Sequence, residues 1–234
     1  MLSKIKKSIS KLKGESPYLK RSYAQSGEDL IIDFIFKEIG INQPSYLDIG
    51  AHHPFYLNNT AIFYERGCRG INIEPDPSLF AEFTKSRKQD INLNLGIGNE
   101  KGILDFYQMS APTLNTFSEQ EAKNYANEGD FKIEKVIPVT VETVANILRD
   151  YNHGKFPDFL TLDAEGIDEI VIHSIDFEQN FPKIICVETI SFSSSGTGVK
   201  NNQLIAYLED KGYLLYADTN INSIFVRKDL WIRK

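Results

Sequence analysis

The segment Tyr46-Leu47-Asp48-Ile49-Gly50-Ala51-His52-His53, followed one βα unit later by Ile71-Asn72-Ile73-Glu74, constrains the fold more than any other part of the chain. An apolar run that ends in Asp-x-Gly reads as a buried strand breaking into a glycine turn, where the missing side chain lets the backbone approach a ligand. The second run ends in a carboxylate. In a doubly wound sheet such a group stands at the carboxyl edge of the neighbouring strand, placed to accept hydrogen bonds from both hydroxyls of a ribose. Together the two runs point to a nucleoside-containing cofactor. A dinucleotide fingerprint needs three glycines, because its pyrophosphate rests on a helix N-terminus. Only Gly50 is present here, and His52 and His53 fill the turn, so a cofactor without a pyrophosphate, S-adenosylmethionine, fits better.

The rest of the chain alternates strands and helices. Helices are expected over 25–39 (with Ser26 as N-cap), 60–66, 77–86, 142–151, 167–175 and 201–211. Strand-like runs fall at 46–49, 70–73, 91–95, 103–107, 135–141, 159–162, 183–187, 213–216 and 223–227. That order implies an α/β fold with a mostly parallel sheet covered on both faces, closed by an antiparallel hairpin. Residues 109–132 are polar and weakly patterned, and read as a partly helical cover over a site; the Ser/Gly run 191–198 reads as a mobile loop.

A chain of 234 residues holds one sizeable α/β domain, expected over 22–234 behind a basic tail of residues 1–21. No apolar stretch approaches the roughly 20 residues that span a bilayer. Cys68 and Cys186 show no paired or metal-binding spacing, which suits buried, reduced thiols and a cytoplasmic setting. The net charge of −6 is uneven: residues 1–21 carry seven basic residues and one acid, a net of +6 that leaves −12 for the remainder. An acidic body argues against a nucleic-acid substrate. In the tail, Leu2, Ile5, Ile9 and Leu12 share one helical face among lysines; this suits either a weak contact with an anionic membrane surface or a packed or solvated N-terminal helix.

Several blocks in their order resemble the FkbM-type S-adenosylmethionine-dependent methyltransferases. They are Ser22-Tyr23-Ala24-Gln25-Ser26-Gly27-Glu28-Asp29, Leu47-Asp48-Ile49-Gly50-Ala51-His52, Asn58-Asn59-Thr60, Ile73-Glu74-Pro75, Val139-Thr140-Val141-Glu142-Thr143, Leu162-Asp163-Ala164-Glu165-Gly166 and Val187-Glu188. The resemblance runs from about Tyr23 to Val226. It implies a Rossmann-like class I methyltransferase with a mostly parallel seven-stranded sheet, and O-methylation of sugars or other cell-surface and secondary-metabolite hydroxyls.

Ligands of open α/β sheets bind outside the carboxyl ends of the strands. Asp48, Glu74, Asp163 and Glu188 each end an apolar run, so a shared site competes with the alternative of four separate helix caps. In the shared-site reading Gly50 and Ala51 face the methionine moiety, Glu74 the ribose, and the strand end at Asn94 and Leu95 flanks the adenine. The resemblance implies that Gln25 and the Glu28-Asp29 pair form a lid near the cofactor, where ordinary helix capping is the alternative. Asn59 and Thr60 suit the cofactor carboxylate at a helix N-terminus, or act as plain N-caps.

Methyl transfer from a sulfonium is an in-line displacement, so catalysis rests on holding the acceptor oxygen on axis and removing its proton. A positioned base or a divalent metal would do the latter. His52 and His53 are candidate bases, with His52 preferred, and Asp163 and Glu165 are further catalytic carboxylates; His153 and His173 read as structural or solvated. Asp163, Glu165 and Glu188 are oxygen ligands that suit Mg²⁺ or Mn²⁺, unless they hold substrate hydroxyls directly. The expected acceptor is a small-molecule sugar or nucleotide-sugar in a pocket lined by Tyr23, Phe55, Tyr56, Phe192 and the two irregular segments. Two other classes compete: a metal-dependent phosphoesterase built on Asp163, Glu165 and Glu188, and a cofactor-binding protein without catalysis. The oligomeric state stays open.

Overall fold

The computed structural model describes Ser16 and residues 18–128, 130–164, 167–191 and 198–232. Most of the basic tail, together with Glu165 and Phe192, therefore lies outside the described residues.

In chain order the elements are α1 (Glu28–Glu38), β1 (Tyr46–Ile49), α2 (Ala61–Glu65), β2 (Gly70–Ile73), α3 (Pro77–Ser86), β3 (Ile91–Leu93), β4 (Gly96–Ile97), β5 (Gly102–Met109), a 3-10 turn (Pro112–Leu114) and α4 (Glu119–Glu128). They continue with β6 (Ile133–Glu142), α5 (Val144–Tyr151), β7 (Phe159–Leu162), α6 (Asp168–His173), β8 (Ile184–Glu188), α7 (Asn202–Asp210), β9 (Tyr213–Asp218), β10 (Asn222–Arg227) and α8 (Lys228–Trp231). The main sheet has seven strands in the order β3-β2-β1-β7-β8-β10-β9. Its first five strands run parallel, and β10 is antiparallel to both β8 and β9. The expected fold class and closing hairpin are both present. The chain moves outward from β1 to β3 and then crosses back to β7 on the other side of β1. This reversal opens a crevice between diverging connections at the carboxyl ends.

Alternation along the central strands feeds two cores. Leu47, Ile49, Ile71, Ile73, Leu160, Leu162, Ile185 and Val187 pack with Ile147 and Leu148 of α5, Val171 and Ile172 of α6, and Leu204 and Leu208 of α7. On the opposite face Tyr46, Phe159, Ile184 and Cys186 meet Ile32, Ile35 and Phe36 of α1 and Phe63 of α2. Helices on both faces explain why these strands are near-continuous apolar runs. Cys68 and Cys186 are free and buried, and no helix among the described residues is long and apolar enough to cross a membrane.

Two expectations need correcting. Ser26 does not cap α1: the helix begins at Glu28 after Gly27, whose φ of 89° is left-handed, and the Glu28 carboxylate itself takes the Ser26 N–H at 2.7 Å. Residues 91–95 are not one strand. The chain turns at Asn94, whose amide donates to the carbonyls of Glu74 and Pro75 at 2.9 and 3.0 Å. β4 then leaves to join β6 and β5 in a separate three-stranded sheet. That small sheet carries the 3-10 turn and α4, which pack on it through Leu114, Ala122 and Tyr125.

Candidate functional site

A cavity of about 420 Å³ occupies the crevice at the carboxyl ends of β1, β2, β7 and β8. It falls within the size range of small-ligand sites. Asp48, Glu74, Asp163 and Glu188 all line it, with Gln25, Gly50, Ala51, His52 and Asn59. Its other end is apolar: Leu79, Ile97, Phe106, Leu114 and Phe117. Phe117 lies so close over Gly96 that a Cβ there would meet its ring at 2.3 Å, and its ring centroid is 4.8 Å from that of Phe106. The second sheet thus supplies the apolar wall.

Glu74 is 5% exposed, and its two carboxylate oxygens accept backbone N–H groups from His52 at 2.8 Å and Asp76 at 2.7 Å. Each oxygen keeps a second lone pair for a ligand. Burial pushes its pKa up to about 8 against the pull of those two N–H groups. Asp48 is raised to about 6 by burial, opposed by the nearby Arg87 charge and by donors from Thr60 and Asn58. Asp163 is exposed to solvent at the carboxyl end of β7, where it lines the cavity. Desolvation, then the carboxylates of Asp168 and Asp48, raise its pKa. Burial and the neighbouring His53 lower the pKa of His52, so its imidazole is neutral near pH 7.

Gly50 is required here by the protein itself as well as by any ligand. Its φ is +75°, and a Cβ would sit 1.8 Å from the Asp163 carbonyl oxygen, so the ends of β1 and β7 close on each other only through glycine. His53 is tied up in the turn, its Nδ1 accepting from the N–H groups of Phe55 and Tyr56 at 3.1 and 3.0 Å. Glu28 and Asp29 are fully buried and bind protein. Asp29 holds Ser22 Oγ and the Tyr23 N–H at 2.6 and 2.7 Å, while Glu28 accepts from Thr219 and Asn222 at 2.8 and 3.2 Å. Between them they clamp the segment bearing Gln25 against the β9–β10 turn at the cavity mouth.

Several expected residues fall elsewhere. Thr60 and Asn94 do not line the cavity. Thr60 is wholly buried, with its hydroxyl donating to Asp48 at 2.8 Å, and Asn94 holds the two carbonyls named above. Tyr23, Phe55 and Tyr56 are likewise absent from the wall; Tyr23 and Phe55 pack on each other at 5.9 Å and Tyr56 is 61% exposed. The aromatic lining comes instead from Phe106 and Phe117. For a metal, Asp163 and Glu188 share the cavity, Glu165 lies outside the described residues, and among the described residues no group of three His, Cys, Asp or Glu converges to hold an ion. The metal reading therefore has no support, and no step is assigned to a metal.

The residues present do fit S-adenosylmethionine, whose adenosine needs a diol acceptor beside an apolar slot and whose methionine part carries charged groups. Glu74 and the Leu79-Ile97-Phe106-Phe117 wall meet the first need; Asp48 and Asn59 stand at the polar end. Beneath the site lies a polar network that no motif announces: Arg87, Asp90, Tyr46, Asn58 and Asn72, all buried. An arginine just past a helix end, three residues before an aspartate, has no periodic signature, and its burial arises only when α3 folds under β1 and β2.

The sequence profile of the Methyltransferase FkbM domain matches residues 48–215. Among solved structures, the crystal structure of methyltransferase FkbM from Methylobacillus flagellatus KT is 14% identical to this chain, with a TM-score of 0.43. The alignment covers 79% of this chain and 43% of that one, so the chain spans less than half the length of that protein. No curated protein matches the sequence. Because the matched profile runs from Asp48 in β1 into β9, taking in the strands that build the cavity, the chain belongs to the Methyltransferase FkbM domain family.

Proposed function

We propose that this protein is an S-adenosylmethionine-dependent O-methyltransferase acting on a hydroxyl of a sugar, either nucleotide-activated or within a cell-surface glycan precursor. The observation that carries the reading is the buried Glu74 carboxylate at the end of β2, inside a cavity whose far wall is apolar. When bound, S-adenosylmethionine supplies a methyl group on a cationic sulfur, which an oxygen nucleophile displaces. The protein's residues do the rest. Glu74 accepts from the ribose hydroxyls with the lone pairs left free by His52 and Asp76. Asp48 and Asn59 orient the amino-acid end. The wall of Ile97, Phe106 and Phe117 excludes water from the adenine.

His52 borders the cavity with an imidazole kept neutral by burial, so it takes the proton from the acceptor hydroxyl as the oxygen attacks. Asp163, whose pKa is raised by desolvation and by the carboxylates of Asp168 and Asp48, holds the acceptor by a hydrogen bond. A phosphoesterase would give Glu74 and the apolar wall nothing to do, and the family match is to methyltransferases. Calorimetric titration with S-adenosylhomocysteine tests the cofactor, and mass spectrometry for a methyl-sized gain on a panel of sugars tests the reaction. No binding at micromolar concentrations would end the proposal, while binding without turnover on any sugar would favour a non-catalytic role.

A further inference from the structure

Arg87 does not itself line the cavity, yet it is 0% exposed and hydrogen-bonds directly to Asn58, which does. A guanidinium has only donors, so every atom that faces it must present a lone pair. Its Nη1 donates to Thr60 Oγ1 at 2.9 Å and Asn58 Oδ1 at 3.2 Å; Nε donates to Asp90 at 2.9 Å and Nη2 to the Tyr46 hydroxyl at 2.8 Å. The direction of the next bonds follows. The single Thr60 hydroxyl proton has two acceptors in reach, Asp48 Oδ2 at 2.8 Å and Asn58 Oδ1 at 3.0 Å; Asn58 Oδ1 already accepts from Arg87 and from the Thr60 N–H, so the proton goes to Asp48. Asn58, its carbonyl held by Arg87, turns its amide to the same Oδ2 at 3.2 Å and to the Ala51 carbonyl at 3.1 Å. Thr60 occupies the N-cap position of α2 but makes no side-chain cap hydrogen bond, so its hydroxyl is diverted from the helix to Asp48.

We propose that Arg87 is a positioning residue for the methyl-transfer site: through Thr60 and Asn58 it fixes Asp48 as a hydrogen-bond acceptor, with Oδ2 saturated by protein and Oδ1 left for the cationic amino group of the cofactor. The cofactor part of this statement rests on the reading above. Asp90 and Tyr46 satisfy Nε and Nη2, Thr60 and Asn58 satisfy Nη1, and these last two side chains pass their own donors on to Asp48. The other charged or titratable groups around Asp48 are Asp90 beside Arg87, Glu74 at the end of β2, Asp163 at the end of β7 and Cys186 on β8.

Thr60→Val keeps the shape, leaves Arg87 its other partners and removes the proton aimed at Asp48; Arg87→Met removes the source of the polarity. Two readouts are taken between pH 5 and 9: the titration of the Asp48 carboxyl by carbon NMR on aspartate-labelled protein, and the Kd for S-adenosylhomocysteine. Both variants are expected to raise the Asp48 midpoint by about one pH unit and to weaken binding by about tenfold at pH 5, the difference vanishing by about pH 8 as the carboxyl ionises in either protein. Thr60→Ser restores both. An unchanged midpoint and unchanged Kd across the range in Thr60→Val overturns the proposal, whatever happens to the melting temperature. If the parent protein binds no S-adenosylhomocysteine, the cofactor reading fails, and the carboxyl titration still decides whether Arg87 governs Asp48.

Discussion

Replacing Glu74 by glutamine probes the site at its most informative atom pair. The parent carboxylate accepts two backbone N–H groups at 2.8 and 2.7 Å and keeps one lone pair per oxygen for a ribose diol. Hydrogen bonds to a charged acceptor contribute about 1.5–3 kcal/mol each. Glutamine retains one acceptor oxygen and loses the charge, so about 2–3 kcal/mol of binding should disappear, or about 30- to 150-fold in Kd for S-adenosylhomocysteine. The measurement belongs near pH 8.5, because burial raises the Glu74 pKa to about 8 and below that value the ligand-free parent must first give up a proton. For the same reason the affinity of the parent should climb between about pH 7 and 8 and then level, and that part of the rise should be absent in Glu74→Gln. Isothermal titration at several pH values reads both effects, with a thermal melt confirming that the variant folds. A folded Glu74→Gln protein that binds within threefold of the parent at pH 8.5 would refute the assignment of this carboxylate to the ribose.

Other outcomes follow from the same geometry. Gly50→Ala places a Cβ 1.8 Å from the Asp163 carbonyl at a φ of +75°, and should cost about 2–4 kcal/mol in urea unfolding along with ligand binding; a loss under about 1 kcal/mol would show that the strand ends part easily. His52→Ala should lower kcat by a factor of about 10²–10⁴ with little change in cofactor Kd, and undiminished turnover would move the base elsewhere. Phe117→Ala removes one side of the apolar wall over Gly96 and should weaken S-adenosylhomocysteine about tenfold, a loss of roughly 1–2 kcal/mol for the lost ring contact; unchanged affinity would take the adenine away from this wall. Burial raises the folded-state pKa of Asp48 to about 6 and of Glu74 to about 8. Their protonated forms therefore favour the fold, a contribution complete below the unfolded values near pH 4 and lost as pH rises through 6 and 8. Chemical denaturation of the ligand-free protein should show lower stability at pH 9 than at pH 6, with a smaller drop in Glu74→Gln; an equal drop in both would mean that Glu74 is not the group titrating.

Local chemistry along the chain was enough to place the central strands, because buried parallel strands must be apolar throughout and their ends must meet solvent or ligand. Runs such as Tyr46–Ile49, Phe159–Leu162 and Ile184–Glu188 satisfy that rule, and the acids that close them lie together in the cavity. Helix boundaries were readable where a short side chain caps the first turn, as Asp76 and Asn201 do. At α1 the rule misled, since the helix starts directly after the left-handed Gly27 and no side chain caps it.

What packing alone settled was the partner of each polar group and the destination of the outlying strands. The strand-like runs within 102–109 and 133–142 read the same from sequence whether they extend the main sheet or pair with each other and with 96–97. Strand propensity says that a segment will pair and is silent on with what, so the second sheet and the apolar wall it contributes appear only in three dimensions. The same holds for Arg87: nothing near it in the chain announces burial, and its five donors acquire direction only when β1, β2 and the 58–60 turn close around them. Periodicity encodes which side of an element faces inward; the pairing of one buried polar atom with another is a long-range property of the folded chain, and no local window of residues contains it.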